Sequence, residues 1–190
     1  KGGFRLLDIC FGIGYNAVAA LDAALEANPK AEVEIIGLEK DERLIPHIQK
    51  LNPAFRHYSL VKELCKSIKR SSIKCNSTKS HESERETYAY KKDALSLKLI
   101  VGDAVETIRE LEEYVEGFDC VFLDAFSPPK NPELWTREFL LDVKSVMKKG
   151  GLLATYSCAR LVRDNLRMAG FQVRDGPIVG RRGPATVAQK

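Results

Sequence analysis

Short apolar runs alternate along the chain with stretches in which apolar residues recur every three or four positions. The runs Phe4–Cys10, Glu34–Glu39, Leu97–Val101, Phe118–Asp124 and Leu152–Ser157 read as strands, with weaker ones at Phe171–Asp175 and Pro184–Gln189. Their near-continuous apolar character suits strands covered on both faces. Helical spacing fills the intervals at Tyr15–Ala27, Glu42–Leu51, Ala104–Tyr114, Pro132–Lys148 and Cys158–Met168. The fourth helix has the clearest ends: Asn131 as cap, Pro132 in the first turn, Lys148 and Lys149 at the carboxyl end, then Gly150. Such alternation predicts an α/β domain with a mostly parallel sheet. One segment breaks the pattern. Lys66–Thr87 carries eight Ser/Thr and almost no large apolar residue, so it reads as a mobile loop inserted into one domain spanning 1–190.

Composition narrows the class. With 190 residues, 44% hydrophobic and 29% charged, the chain is an ordinary globular domain. A chain of this size buries roughly 70% of its unfolded surface, so no disulfide framework or structural metal is required. Thirty basic and 26 acidic residues give +4. Nine cations and four glutamates between Lys62 and Lys92 make that stretch +5 and leave −1 for the remainder, so 66–87 is expected to be a flexible basic insertion. No run approaches the roughly 18 apolar residues of a membrane span. The first residues lack the features of a signal peptide, which points to the cytoplasm. The absence of an initial Met, so close to the first strand, suggests a piece of a longer protein. Cys10, Cys65, Cys75, Cys120 and Cys158 are scattered without C-x-x-C spacing, so reduced thiols are expected rather than zinc or disulfides.

The first strand runs through Asp8-Ile9-Cys10-Phe11-Gly12-Ile13-Gly14-Tyr15-Asn16 into an alanine-rich helix. Two glycines there permit a sharp turn and close approach of backbone to ligand. Ala17 stands where a dinucleotide fingerprint has its third glycine, and no G-x-x-x-x-G-K-[ST] exists, which disfavours pyrophosphate. Glu39 ends the second strand 25 residues after Gly14, where a carboxylate can accept both hydroxyls of a ribose. Asp103, ahead of Ala104, closes the third strand and suits an adenine amino group or a helix cap. This spacing resembles that of class I S-adenosylmethionine-dependent methyltransferases, with a Rossmann-like twisted sheet, helices on both faces and a final antiparallel strand. The resemblance assigns Asp8, Phe11, Gly12, Gly14, Asn16, Glu39, Asp103 and Ala104 to the cofactor.

The fourth strand ends at Asp124, followed by a loop stiffened by Pro128, Pro129 and Pro132. The run Leu123-Asp124-Ala125-Phe126-Ser127-Pro128-Pro129-Lys130-Asn131-Pro132-Glu133-Leu134-Trp135-Thr136 resembles the methyltransferase half of the MnmC family of tRNA wobble-uridine modification enzymes. The likeness continues through Phe11–Asn16, Glu39-Lys40, Gly102-Asp103, Ala154–Arg163, Ala169-Gly170-Phe171 and Gly180-Arg181-Arg182. It departs from the family at Ala125, at Cys10 and in the Gly-Pro-Ala-Thr after Arg182. The resemblance implies methyl transfer from S-adenosyl-L-methionine to the amine of 5-aminomethyluridine in a tRNA anticodon stem-loop. Asp124 would stand beside that amine, and neither metal nor flavin is implied. These residues carry no counterpart to the family's flavin-dependent oxidase half, so the amine would arrive already free. A monomer is expected.

Tyr156 and Ser157 are candidates for lining the substrate pocket, and Lys130 for meeting an RNA phosphate. Phe126 and Trp135 can stack on uracil or pack under the loop, with packing expected for Trp135. Arg160, Arg163 and Arg167 have the spacing of one helix face, and with Arg181 and Arg182 they could meet phosphates. Two other readings compete: a polyamine aminopropyltransferase, whose cationic substrate would want several acids, and a non-catalytic nucleotide- or RNA-binding module.

Overall fold

The computed structural model describes residues 3–72, 84–111, 117–178 and 183–190. It divides into two compact units, one formed by Phe11–Asp103 with the chain start up to Phe4, the other by Arg5–Cys10 with Ala104–Lys190.

In the first unit, α1 (Tyr15–Ala27) leads to β2 (Val33–Glu39), a 3-10 turn at Glu42–Leu44, α2 (Ile45–Ile48) and α3 (Tyr58–Leu64). β3 (Ile68–Ser72), β4 (Glu84–Lys92) and β5 (Leu95–Val101) complete it, in the sheet order β3-β4-β5-β2. β2 and β5 run parallel, from Val33 opposite Leu95 to Glu39 opposite Val101. That register brings Glu39 and the residues following Val101 to one carboxyl edge, where the Gly102 N–H donates to the Glu39 carbonyl at 2.8 Å. Ile35, Ile36, Leu38, Leu97 and Leu99 are buried, as the apolar runs require.

The loop expected over Lys66–Thr87 is corrected at both ends. β3 pairs antiparallel with β4, and β4 with β5 through the two-residue turn Asp93-Ala94. Asp93 takes a left-handed φ of 50°, which a short acidic residue tolerates at a hairpin turn. Residues 73–83 of the expected insertion, Cys75 among them, lie outside the described residues.

Gly37 in β2 shows how tightly this unit packs. A Cβ there would come within 2.4 Å of the Phe11 ring. Gly37→Ala is therefore expected to cost about 1–3 kcal/mol through overpacking, read as a lower Tm in thermal melts.

In the second unit, β1 (Phe4–Ile9, its residues from Arg5 onward) is followed by α4 (Ala104–Glu110), β6 (Phe118–Leu123), a 3-10 turn at Pro132–Trp135 and α5 (Arg137–Ser145). β7 (Met147–Thr155), α6 (Arg160–Met168), β8 (Gln172–Asp175) and β9 (Thr186–Gln189) finish the chain, in the order β1-β6-β7-β9-β8. β1, β6 and β7 are parallel, with Ile9 opposite Leu123 and Phe122 opposite Ala154. The chain positions that follow them, Cys10, Asp124 and Tyr156, thus leave the sheet at its carboxyl edge. β9 lies antiparallel between β7 and β8, as the final antiparallel strand was expected to do.

The helix expected over Pro132–Lys148 is two elements. Four residues of 3-10 turn precede α5, whose true cap is Thr136: its Oγ1 accepts the Phe139 N–H at 3.2 Å. Asn131 makes no capping bond. Lys148 and Lys149 belong to β7, and the Lys148 ammonium reaches both oxygens of Asp119 at 2.8 and 2.9 Å. No helix among the described residues is long and apolar enough to cross a membrane.

Candidate active site

The glycine turn of the first unit is built by side chains around it. Gly12 and Gly14 take left-handed φ angles of 59° and 80°, and Gly14 caps α1. A Cβ at Gly14 would come within 2.9 Å of both Phe11 and Val61, so glycine is required there for space as well as for conformation. Phe11 was expected at the cofactor. Its ring is buried over Gly37, its N–H donates to the Leu38 carbonyl and its own carbonyl accepts from Gly14, so it shapes the turn. Asn16 sits half-buried in the first turn of α1, which has no side-chain cap and no acid.

Glu39 joins this turn to the strand end. One carboxylate oxygen accepts the Gly12 N–H at 2.7 Å and the other the Asp41 N–H at 2.8 Å. A carboxylate has about four lone-pair sites, so two remain for hydroxyl donors. Asp103 pairs with the Lys40 ammonium at 2.7 Å.

Two features were not anticipated. Lys40 is a partner of Asp103, and Tyr58 reaches the turn itself, donating its hydroxyl to the Ile13 carbonyl at 2.9 Å. Tyr15 stands edge-on to Tyr58, and Phe55 edge-on to Tyr15. Only a Tyr at the start of an otherwise short amphipathic stretch hinted at this role. Burial, then the neighbouring Tyr15 and Cys65, push the Tyr58 phenol up to about 12 from 10.0. The folded state favours the protonated phenol, so this stability is whole below pH 10 and is lost as pH rises towards 12. Urea titrations across that range should therefore show a shallower alkaline decline in Tyr58→Phe than in the parent protein.

The second unit carries Asp8, Cys10, Ala104, Asp124 and the loop that follows it. Asp8 is fully buried in β1 and Ala104 is buried at the head of α4. Cys10 holds a left-handed φ of 67°, a conformation that costs a non-glycine residue about 1–2 kcal/mol. Asp124 lies exposed just past β6, its N–H donating to the Ile9 carbonyl at 3.2 Å. Tyr156 donates its hydroxyl to the Ala125 carbonyl at 3.0 Å, and Trp135 donates Nε1–H to the Phe126 carbonyl at 2.8 Å. Trp135 is buried, whereas Phe126 is 70% exposed with the Lys130 ammonium 5.3 Å from its ring centre.

Other expected substrate contacts are engaged internally. Ser157 is buried: its carbonyl accepts the Thr186 hydroxyl at 2.6 Å and its Oγ faces the Ala159 N–H. Arg163 is the larger correction, because it does not share an open basic face with Arg160 and Arg167. Its guanidinium binds Thr186 Oγ1 at 2.9 Å, the Ala185 carbonyl at 3.3 Å and Asp175 at 2.7 Å, pinning α6 to the last two strands. Arg160 and Arg167 both pair with Asp164 at the surface. Arg181 and Arg182 lie outside the described residues.

Cys10, Cys65, Cys120 and Cys158 are not joined in disulfides. Burial pushes the Cys65 thiol up to about 11, and burial with the Asp119 and Asp8 carboxylates does the same for Cys120. Neither is a ready nucleophile near neutral pH. No group of three or more metal-ligating side chains occurs among the described residues.

The chain is 30% identical over 182 residues to the tRNA 5-methylaminomethyl-2-thiouridine biosynthesis bifunctional protein MnmC of Leptospira interrogans, covering 96% of this chain and 26% of that protein. It is 31% identical over 186 residues to a protein of Methanocaldococcus jannaschii, covering 98% of this chain and 46% of the relative. The crystal structure of MNMC2 from Aquifex aeolicus matches with a TM-score of 0.72 and 34% identity, over 99% of this chain and 53% of that one. The chain thus spans about half or less of the proteins it resembles, and its fold is that of the class I methyltransferases. The family model described as S-adenosyl-L-methionine-dependent methyltransferase matches residues 57–190, more than half the chain, and the protein belongs to that family.

Proposed function

We propose that this protein methylates the primary amine of a 5-aminomethyl group on the wobble uridine of tRNA. The observation that carries the reading is Asp124, an exposed carboxylate at the end of β6 whose backbone is tied on both sides, in a chain similar to MnmC and MNMC2. Bound S-adenosyl-L-methionine supplies an electrophilic methyl on a sulfonium with a good leaving group.

The residues of the first unit fit that donor. Glu39 keeps acceptor capacity for ribose hydroxyls after binding two backbone N–H groups. Asp103 offers an acceptor for an adenine amino group, held by Lys40. The uncapped, acid-free start of the 13-residue α1 favours a carboxylate such as that of the methionine moiety. Gly12, Gly14 and Asn16 belong to that turn and the helix it opens.

Asp124 handles the acceptor. An alkyl ammonium has no lone pair, so the site must take its proton or bind it neutral, and the carboxylate orients the N–H bonds and accepts the proton directly or through water. The aminopropyltransferase reading is not favoured: Lys130 stands in the loop after Asp124, where a polycationic substrate would be repelled.

The partner we infer is the anticodon stem-loop, met by a monomeric enzyme in the cytoplasm. Incubation with methyl-labelled S-adenosylmethionine and tRNA lacking only the terminal methyl should label the tRNA. An unlabelled tRNA, together with conversion of putrescine to spermidine when decarboxylated S-adenosylmethionine is supplied, would refute the assignment.

A further inference from the structure

The loop after β6 presents more than its carboxylate. Residues 124 to 126 alternate exposed, buried and exposed, with Ala125 only 1% accessible. That alternation is the pattern of an extended segment, in which residues two apart share a side at about 6.7 Å, and it sets Asp124 and Phe126 on the exposed side together.

Three separate elements hold that segment. The Asp124 N–H donates to the Ile9 carbonyl, the Tyr156 hydroxyl to the Ala125 carbonyl, and the Trp135 indole N–H to the Phe126 carbonyl. Trp135 is itself locked, since its own carbonyl accepts from Asn165 of α6 at 2.7 Å. Further along, the N–H groups of Lys130 and Asn131 both turn back to the Ser127 carbonyl, at 2.7 and 3.1 Å. A free loop would fold a phenyl ring inward to escape water. Here the latched backbone keeps Phe126 turned out, while the Lys130 ammonium covers one face of the ring and leaves the other open.

We propose that Phe126 is a nucleobase platform and a specificity-determining residue of this site. A pyrimidine turned out of a single-stranded loop stacks on the open face of the ring, its 5-substituent directed at Asp124. Lys130 meets the adjoining phosphate. A base still paired in a duplex cannot offer a whole face to the ring, so the platform selects an unstacked loop nucleotide. The inference deepens the wobble-uridine reading and rests on it.

The test measures affinity for a synthetic anticodon stem-loop RNA, with uridine or 5-aminomethyluridine at the wobble position, together with methylation kinetics on the second RNA. Phe126→Ala and Phe126→Leu should each weaken RNA binding and raise KM about tenfold, the range for one stacked base being roughly fivefold to a hundredfold. The kcat should stay within about twofold, because stacking is lost equally from ground and transition states. Phe126→Trp should restore affinity, and S-adenosylmethionine binding should not move in any of them. Lys130→Gln should flatten the slope of log affinity against log salt by about 0.7, one single-strand phosphate contact. Met168→Ala, an exposed apolar residue of α6, is the control and should change nothing. Parent-like RNA affinity in Phe126→Ala, or full rescue by Phe126→Leu, would overturn the platform. Should the parent protein methylate neither RNA, the wobble-uridine reading fails, while the affinity series on the uridine RNA still decides whether Phe126 stacks.

Discussion

Asp124→Asn lowers the methyl-transfer rate about a thousandfold, within the 10²–10⁴ range of a lost general base, and leaves S-adenosylmethionine affinity within about twofold. The substitution keeps size and hydrogen-bonding shape but removes the acceptor for the amine proton. The backbone latches through Ile9 and Tyr156 do not involve the carboxylate, so the loop keeps its form. Single-turnover rates should recover partly at alkaline pH, where the amine arrives neutral without help. A variant with parent-like kcat at neutral pH would remove Asp124 from the chemistry. Parent-like binding with retained function would instead favour a binding module over an enzyme.

Glu39→Ala produces the second large effect, on the donor side. The carboxylate joins the Gly12 N–H to the Asp41 N–H, and its loss both frees the glycine turn and deletes the proposed ribose acceptor. Hydrogen bonds to a charged group are worth about 1.5–3 kcal/mol each, so S-adenosylmethionine affinity should fall at least a hundredfold. Glu39→Gln should fall between, since an amide keeps one accepting oxygen but sets an NH₂ against an N–H donor. Calorimetric titration reads both variants, and circular dichroism checks that the fold persists. Unchanged affinity in Glu39→Ala would move the donor elsewhere.

The central strands were legible because strands covered on both faces write themselves as near-continuous apolar runs, as in Ile35–Leu38 and, with Asp8 the one polar residue, Leu6–Ile9. α1 was legible to the residue, since a glycine pair, an alanine-rich helix and Asn28 bound it on both sides. β4 was not: Glu84, Arg85, Glu86, Lys91 and Lys92 mask the short alternating core of Thr87 to Tyr90, and its pairing comes from β5 across a turn without glycine. Pro132 and Lys148 looked like ends of one helix because each residue type suits such an end. Thr136 capped first, and Lys148 found Asp119.

At the site, residue types named the chemistry better than the contacts. Glu39, Asp103 and Asp124 stand at strand ends where βαβ connectivity puts them, a placement that follows from topology alone. Whether an arginine faces water or a neighbouring strand depends on packing. Helical spacing put Arg163 beside Arg160 and Arg167, yet the antiparallel β9 draws it inward to Thr186 and Asp175. Tyr58 and Lys40 act through the partners they reach, Ile13 and Asp103, which lie 45 and 63 residues away in sequence. No local pattern encodes such a partner.

The most direct measurement is nucleoside analysis of tRNA bearing 5-aminomethyluridine after incubation with the protein and isotopically labelled S-adenosyl-L-methionine. The account predicts one labelled methyl in 5-methylaminomethyluridine, on the exocyclic amine, lost when Asp124 is replaced by Asn. Label on the base or ribose of any other nucleoside, with none at that amine, would contradict it.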